Sequence, residues 1–293
     1  MVKLPNRAES QDSTETVPTV APQFGCGART DKGRVRENNE DSFAIEPELN
    51  LFVLSDGMGG QASGEIASRI ATETVVEYCR AAERDSLSLP QQDRLSGLSD
   101  KSSRLAAGIR RANSAIRNAA LNQPECHGMG ATVVAVRFDG CRMSLAHVGD
   151  SRAYRFRSGQ LEQLTRDHSF VAEQLRQGLL TQWEAEQSQM QNVLLRALGQ
   201  EPDVEIDVTE ELVLDDDAIL LCSDGLTREL SDEQIAVTLE NAEDAQSAAD
   251  CLVSAANDAG GGDNITAVVV RPAGKRRGTF PRIGRWLRRS KES

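Results

Sequence analysis

The chain has 293 residues, a formal net charge of −12, and 39% hydrophobic and 27% charged residues, which suits a soluble globular protein of one large or two small domains. The charge is uneven: Arg271–Ser293 holds nine Lys/Arg against one Glu, +8, so the remainder carries −20, a balance that argues against nucleic-acid binding by the main body. No apolar run approaches the roughly 20 residues of a membrane helix, and the opening MVKLPNRAES lacks the apolar centre of a secretory signal, so the expected location is the cytoplasm.

Residues 1–23 are polar and aperiodic and read as a disordered extension, with order expected from Phe24. Strands are expected at Ser42–Ile45 and Leu51–Leu54. A helix follows over about Ala62–Ala82, with Ile66, Ile70 and Tyr78 on one face. Asp85–Ser103, rich in Ser, Asp and Gln, reads as a surface connection. A second helix spans about Arg104–Leu121, where Leu105, Ile109, Ala112 and Ile116 recur at helical spacing. Thr132–Phe138 and Arg142–Val148 then alternate around Asp139-Gly140, the signal of a hairpin, and Ser151–Phe156 is expected to continue that sheet. A mixed helical region covers about Ser169–Ala197. Strands return near Glu205–Val208 and Ala218–Cys222, a helical pair fills about Asp232–Ala259, and Ile265–Val270 is the last strand. There is no internal repeat. This order implies an α+β domain of two sheets with helices outside. The six cysteines form no CxxC pair and read as small buried hydrophobes in a reducing compartment.

Four acidic motifs carry the chemistry. Asn38-Asn39-Glu40-Asp41 precedes a strand. Ser55-Asp56-Gly57-Met58-Gly59-Gly60 follows LFVL, Ser223-Asp224-Gly225 follows AILLC, and Gly261-Gly262-Asp263-Asn264 precedes ITAVVV. Asp-Gly is an ordinary turn signal, and Asp139-Gly140 is one. Asp56-Gly57 and Asp224-Gly225 differ, because each follows an apolar run with no partner strand at hairpin distance. A sheet gathers its strand ends, so the motifs could converge on one site of hard oxygen ligands, the kind that Mg²⁺ and Mn²⁺ select. Arg36, five residues before Asp41, offers the planar fork that suits phosphate oxygens, or is a solvated loop side chain.

Together these residues resemble the protein phosphatase 2C family of metal-dependent phosphatases, most closely its bacterial branch. The motifs are Thr30–Asp41 (TDKGRVRENNED), Asp56–Gly60, Gly128–Thr132 (GMGAT), His147–Arg152 (HVGDSR), Cys222–Leu226 (CSDGL) and Gly262–Thr266 (GDNIT), in the family's order over residues 24–271. The resemblance implies two packed antiparallel β-sheets flanked by helix pairs. It implies a protein serine/threonine phosphatase with two Mn²⁺ or Mg²⁺ ions, and in-line attack by a hydroxide bridging them. No covalent intermediate or catalytic cysteine is needed. By the same resemblance Asp56 bridges both ions and Gly57 binds one through its carbonyl. Asp224 and Asp263 hold the first ion; Asp41, more than Glu40, holds the second, directly or through water. Asp150 with Asp224 forms a weaker third site, Arg36 clamps the substrate phosphate, and Asn264 orients its neighbours. The implied substrates are phosphorylated proteins, products of a serine/threonine kinase, and the chain is expected to be a monomer.

Three departures stand out. Met58 replaces the histidine credited as general acid in eukaryotic members, and Gln61 replaces a histidine frequent in bacterial ones, leaving a metal-bound water as the acid. Ser188-Gln189-Met190-Gln191 replaces a His-Pro in the family's flap. Ala131 stands where Thr is common, with only a packing effect expected. Competing readings are a catalytically inactive binding module, another divalent-cation phosphate hydrolase, and a cation-binding structural protein; retention of Asp41, Asp56, Asp224 and Asp263 speaks against the inactive module. In the tail 272–293, Phe280, Ile283, Trp286 and Leu287 fall on one helical arc among arginines. Gly284 and the short length weaken the helix, so a disordered basic tail is the first expectation; contact with an anionic surface, lipid or an acidic partner, is the second, and folding back on the chain's own acidic body the third.

Overall fold

A computed structural model describes residues 24–59, 63–84 and 89–272. The N-terminal extension, Gln61 and the amphipathic tail segment lie outside the described residues. The first half of the chain forms β1 (Phe24–Asp31), β2 (Asp41–Glu46), β3 (Leu51–Met58), α1 (Ser63–Arg84), α2 (Asp100–Asn122), β4 (Gly130–Ala131), β5 (Val133–Asp139) and β6 (Arg142–Val148). The second half forms β7 (Arg152–Arg157), β8 (Gln160–Gln163), α3 (Phe170–Arg176), α4 (Gln182–Glu186), β9 (Asp207–Leu212), β10 (Ala218–Cys222), α5 (Asp224–Thr227), α6 (Asp232–Asn241), α7 (Ala245–Ala259) and β11 (Ile265–Pro272).

Strand alternation sorts the apolar residues into three layers, because neighbours along a strand face opposite sides. Phe52, Leu54, Val134, Val136, Leu145, Ile219, Leu221, Val268 and Val270 meet between the sheets. Leu51, Val53, Val133 and Ala135 turn the other way and pack under α1 and α2. Leu220, Cys222, Ile265, Ala267 and Val269 pack under α6 and α7. β3, β5, β10 and β11 are therefore apolar on both faces, which explains their continuous hydrophobic runs. The result is a helix–sheet–sheet–helix sandwich. One sheet runs β1-β11-β10-β7-β8; the other runs β2-β3-β5-β6-β9, with β4 added beside β3. All the strand pairs are antiparallel. No helix among the described residues is long and apolar enough to cross a membrane.

Several expectations need correction. Residues 152–157 do not continue the sheet of the preceding hairpin; β7 pairs with β10 in the opposite sheet. The chain crosses between sheets at Gly149, whose φ of 106° is open to glycine but hardly to other residues. α2 begins at Asp100, inside the expected connection, because Ser99 caps it by accepting from the Ser102 N–H. α1 buries Ala67, Ala71, Val75 and Cys79 fully, while Ile66 and Ile70 pack at the edge. Small residues there let α1 and α2 approach closely, with Gly108 set against Val75 and Tyr78. The region 169–197 is mostly irregular, holding only α3 and α4. Cys79, Cys126 and Cys222 are buried as expected, but Cys141 at the hairpin turn and Cys251 on the outer face of α7 are exposed. Ala131 is fully buried in the layer under α1 and α2.

Candidate metal centre

The acidic motifs meet at one end of the sandwich. Asp41 opens β2 and lies opposite Asp56 near the end of β3. Asp224 opens α5 directly after β10, and Asp263 sits in the turn before β11, whose strands are paired neighbours. Asp150 lies in the crossover from β6 to β7. The fields of Asp41, Asp224, Asp150 and Asp263 all reach Asp56, and Asp56 and Asp224 are close enough to share a hydrogen bond.

Hydroxyls and amides hold this geometry. Oδ2 of Asp41 accepts from the Ser223 hydroxyl at 2.7 Å and the Thr266 hydroxyl at 2.6 Å. Its Oδ1 is buried without a hydrogen-bond partner, an arrangement that costs stability unless something else satisfies it. The Asp56 N–H donates to Thr132 Oγ1, which also bonds the Ser151 hydroxyl, tying β3 to the crossover that carries Asp150. Asn264 donates to the carbonyls of Lys32 and Asn38 and accepts from the Glu40 N–H, so it pins the whole 32–40 loop. Arg36, on that loop, reaches Oδ2 of Asp263 at 2.8 Å. A Cβ on Gly225 would meet the Asn264 carbonyl oxygen at 2.1 Å, so only glycine lets α5 approach this loop.

Electrostatics point the same way. Burial pushes the Asp41 carboxyl up to about 7, against the pull of its two hydroxyl bonds. Burial and the Asp224 charge push Asp150 up to about 7. Asp56 is raised well above the usual carboxylate range, by desolvation and then by Asp41. Asp224 is raised by desolvation, with Arg228 opposing. Like charges so gathered repel unless protons or cations intervene. The donor set is all oxygen, as Mg²⁺ and Mn²⁺ prefer.

The five aspartates and Arg36 are thus brought together. Glu40 lies at the edge of the group: its carboxylate packs on Gly64 at the start of α1 and accepts that residue's N–H, a favourable place for an anion, and the charges of Arg36 and Asp263 also reach it. Ser223, Thr266, Thr132 and Ser151 are positioning groups that sequence reasoning passed over, although all four lie within the motifs. Arg228, a cation one turn after Asp224, lies outside the motifs and pairs with the Asp224 carboxylate. A groove of about 1240 Å³ runs outward from Asp150 and Asp224, between α3–α4 and the start of α6, and Arg228 lines it.

Comparison with known proteins matches residues 30–258 to the model of the protein phosphatase 2C family. The chain is 39% identical over 243 residues to the serine/threonine protein phosphatase PstP of Mycobacterium tuberculosis, covering 83% of this chain and 44% of that protein; it therefore spans under half of that relative's length. It is 34% identical over 245 residues to the serine/threonine phosphatase stp of Listeria monocytogenes, covering 83% of this chain and 93% of that one. The solved catalytic domain of PstP in complex with two manganese ions superposes with a TM-score of 0.72 at 36% identity, covering 85% of this chain and 97% of that one.

Proposed function

The chain belongs to the protein phosphatase 2C family, and from that premise we propose that it is a metal-dependent protein serine/threonine phosphatase, hydrolysing phosphoserine and phosphothreonine in proteins. One observation carries the reading: five aspartates meet at one end of the sandwich, and a buried oxygen of Asp41 has no partner there.

The residues fit a pair of divalent cations. Asp56 and the Gly57 carbonyl, Asp224 and Asp263, and Asp41 would hold two Mn²⁺ or Mg²⁺ ions, with Asp150 and Asp224 offering a weaker third position. Two such ions, when bound, lower the pKa of water and offset negative charge on the phosphate. The chain's own groups do the rest. Ser223 and Thr266 occupy one oxygen of Asp41 and leave the other buried without a hydrogen-bond partner. Asn264 holds the loop that presents Arg36, whose guanidinium binds the phosphate oxygens of the substrate. Displacement at phosphorus is in line, with the serine or threonine oxygen leaving opposite the incoming one. Met58 offers that oxygen no proton, so no histidine of this motif serves as the acid, and a metal-bound water would supply the proton.

Residues 24–271 form the phosphatase domain in this reading, flanked by the extension 1–23 and the basic tail 272–293. Its substrates are products of a serine/threonine kinase, and it works in the cytoplasm as a monomer; the tail's +8 suits contact with an anionic surface. Phosphate release from phosphothreonine peptides tests the activity. Hydrolysis that requires added Mn²⁺ or Mg²⁺ and stops with chelator is expected; metal-independent release, or none, contradicts it.

A further inference from the structure

The four-residue step from Asp224 to Arg228 places the two side chains on one face of a helical turn. α5 starts at Asp224, and the Arg228 N–H bonds the Asp224 carbonyl at 2.9 Å. The Arg228 guanidinium therefore folds back over the cluster. Its Nη2 pairs with Oδ2 of Asp224. Its Nη1 lies 3.3 Å from Oδ2 of Asp263, the atom that Arg36 reaches at 2.8 Å. Oδ1 of Asp263 accepts from the Asn264 N–H at 2.9 Å. Both oxygens of Asp263 and one of Asp224 are thus already engaged by donors.

A guanidinium is charged at every working pH and cannot step aside by losing its proton. A divalent cation at Asp224 and Asp263 needs lone pairs on these same oxygens. Arg36 has a substrate phosphate to turn to. Arg228 has the groove, into which its 31% exposed side chain already opens.

We propose that Arg228 is a counter-ion built into the metal centre, which pairs with Asp224 and Asp263 through oxygens the cations need and so raises the free Mn²⁺ concentration at which the centre fills. The inference rests on the phosphatase reading above. Arg228 acts through the ligands and is a positioning residue, not a catalytic one. It gives the chain a threshold response to cation supply, and it holds the repelling carboxylates together while that supply is low.

Calorimetric titration of the chelator-stripped full chain with Mn²⁺ tests this without reference to activity. Removing one positive charge a few ångströms from a divalent ion predicts that Arg228→Gln binds the Mn²⁺ held by Asp224 and Asp263 at least ~10-fold more tightly. The gap should narrow in 1 M KCl, because Arg228 is partly exposed. The metal-stripped variant should also melt at a lower temperature than the wild type. Arg228→Lys keeps the charge but loses the fork, and its Kd should fall only about 3-fold. A Gln variant with wild-type affinity overturns the proposal. Should the Gln variant fail to fold without metal, an unchanged Kd in Arg228→Lys overturns it equally. A wild type that binds no Mn²⁺ at all would instead overturn the phosphatase reading.

Discussion

Asp41 and Asp56 stand directly opposite one another across the β2–β3 ladder. Directly opposed residues of an antiparallel pair share a face, and like charges in that position repel. Two buried hydroxyls hold Asp41 there, and the Thr132 hydroxyl anchors the Asp56 backbone. The fold therefore spends stability to keep two carboxylates together, as expected where a cation bridges them.

That strain has a pH signature in the metal-stripped protein. A carboxyl whose folded pKa is raised binds protons more tightly when folded, so its penalty is absent at low pH and grows as pH rises from about 4 through its folded value. For Asp150 that value is about 7. The buried histidines His147 and His168, both depressed by desolvation, titrate with the opposite sign, so wild-type melting alone would blur the effect. Metal-stripped Asp150→Asn removes only the carboxyl. Its melting temperature should exceed the wild type's by a margin that widens from pH 5 to pH 7.5. A constant or shrinking margin would contradict the raised carboxyl.

With metal present, Asp150 should matter differently from the other ligands. Asp150→Ala is expected to lose most hydrolysis of an aryl phosphate yet still bind two Mn²⁺ by calorimetry. Loss of all Mn²⁺ binding would place Asp150 in the two-ion core.

Arg36 is half-exposed on the loop that Asn264 pins. If it grips the phosphate equally in ground and transition states, Arg36→Ala should raise KM for a phosphopeptide by about tenfold or more, with a smaller fall in kcat. An unchanged KM removes Arg36 from the substrate site.

Gly57 has no room for a side chain. A Cβ there would lie 2.0 Å from the Gly64 carbonyl oxygen and 2.7 Å from that of Glu40, both backbone atoms that cannot swing aside. Gly57→Ala should cost about 1–3 kcal/mol in urea unfolding, and it should weaken Mn²⁺ binding by displacing Asp56. A variant as stable as the wild type would show that α1 can shift without cost.

Much of this was legible from residue order. Apolar runs such as LFVL, AILLC and ITAVVV mark strands buried on both faces, and an aspartate at the end of such a run lies where strand ends gather. The hairpin at Asp139-Gly140 follows from its alternation, and its register runs from Val133 opposite Val148 to Asp139 opposite Arg142. Which sheet β7 joins was not legible, because a strand's pattern shows its faces and not its partner. The true start of α2 was hidden by a serine-rich stretch: Ser102 and Ser103 are buried, and the Ser102 hydroxyl bonds both Ser144 and Glu210, so their polarity did not mean exposure. Arg228 escaped notice because its role depends on Asp263, 35 residues away.

The central claim is that these aspartates hold a catalytic pair of cations, and Asp56 tests it most directly. Replacing Asp56 by Asn preserves shape but removes one charge from the residue that the fields of the other four reach. Initial rates of phosphate release from a phosphothreonine peptide should be measured in excess Mn²⁺ for the wild type and Asp56→Asn, with near-ultraviolet circular dichroism to confirm the fold. The account predicts a folded variant whose turnover is lower by about 10³-fold or more, in line with a loss of several kcal/mol of transition-state stabilisation. Turnover within a few-fold of the wild type would contradict it.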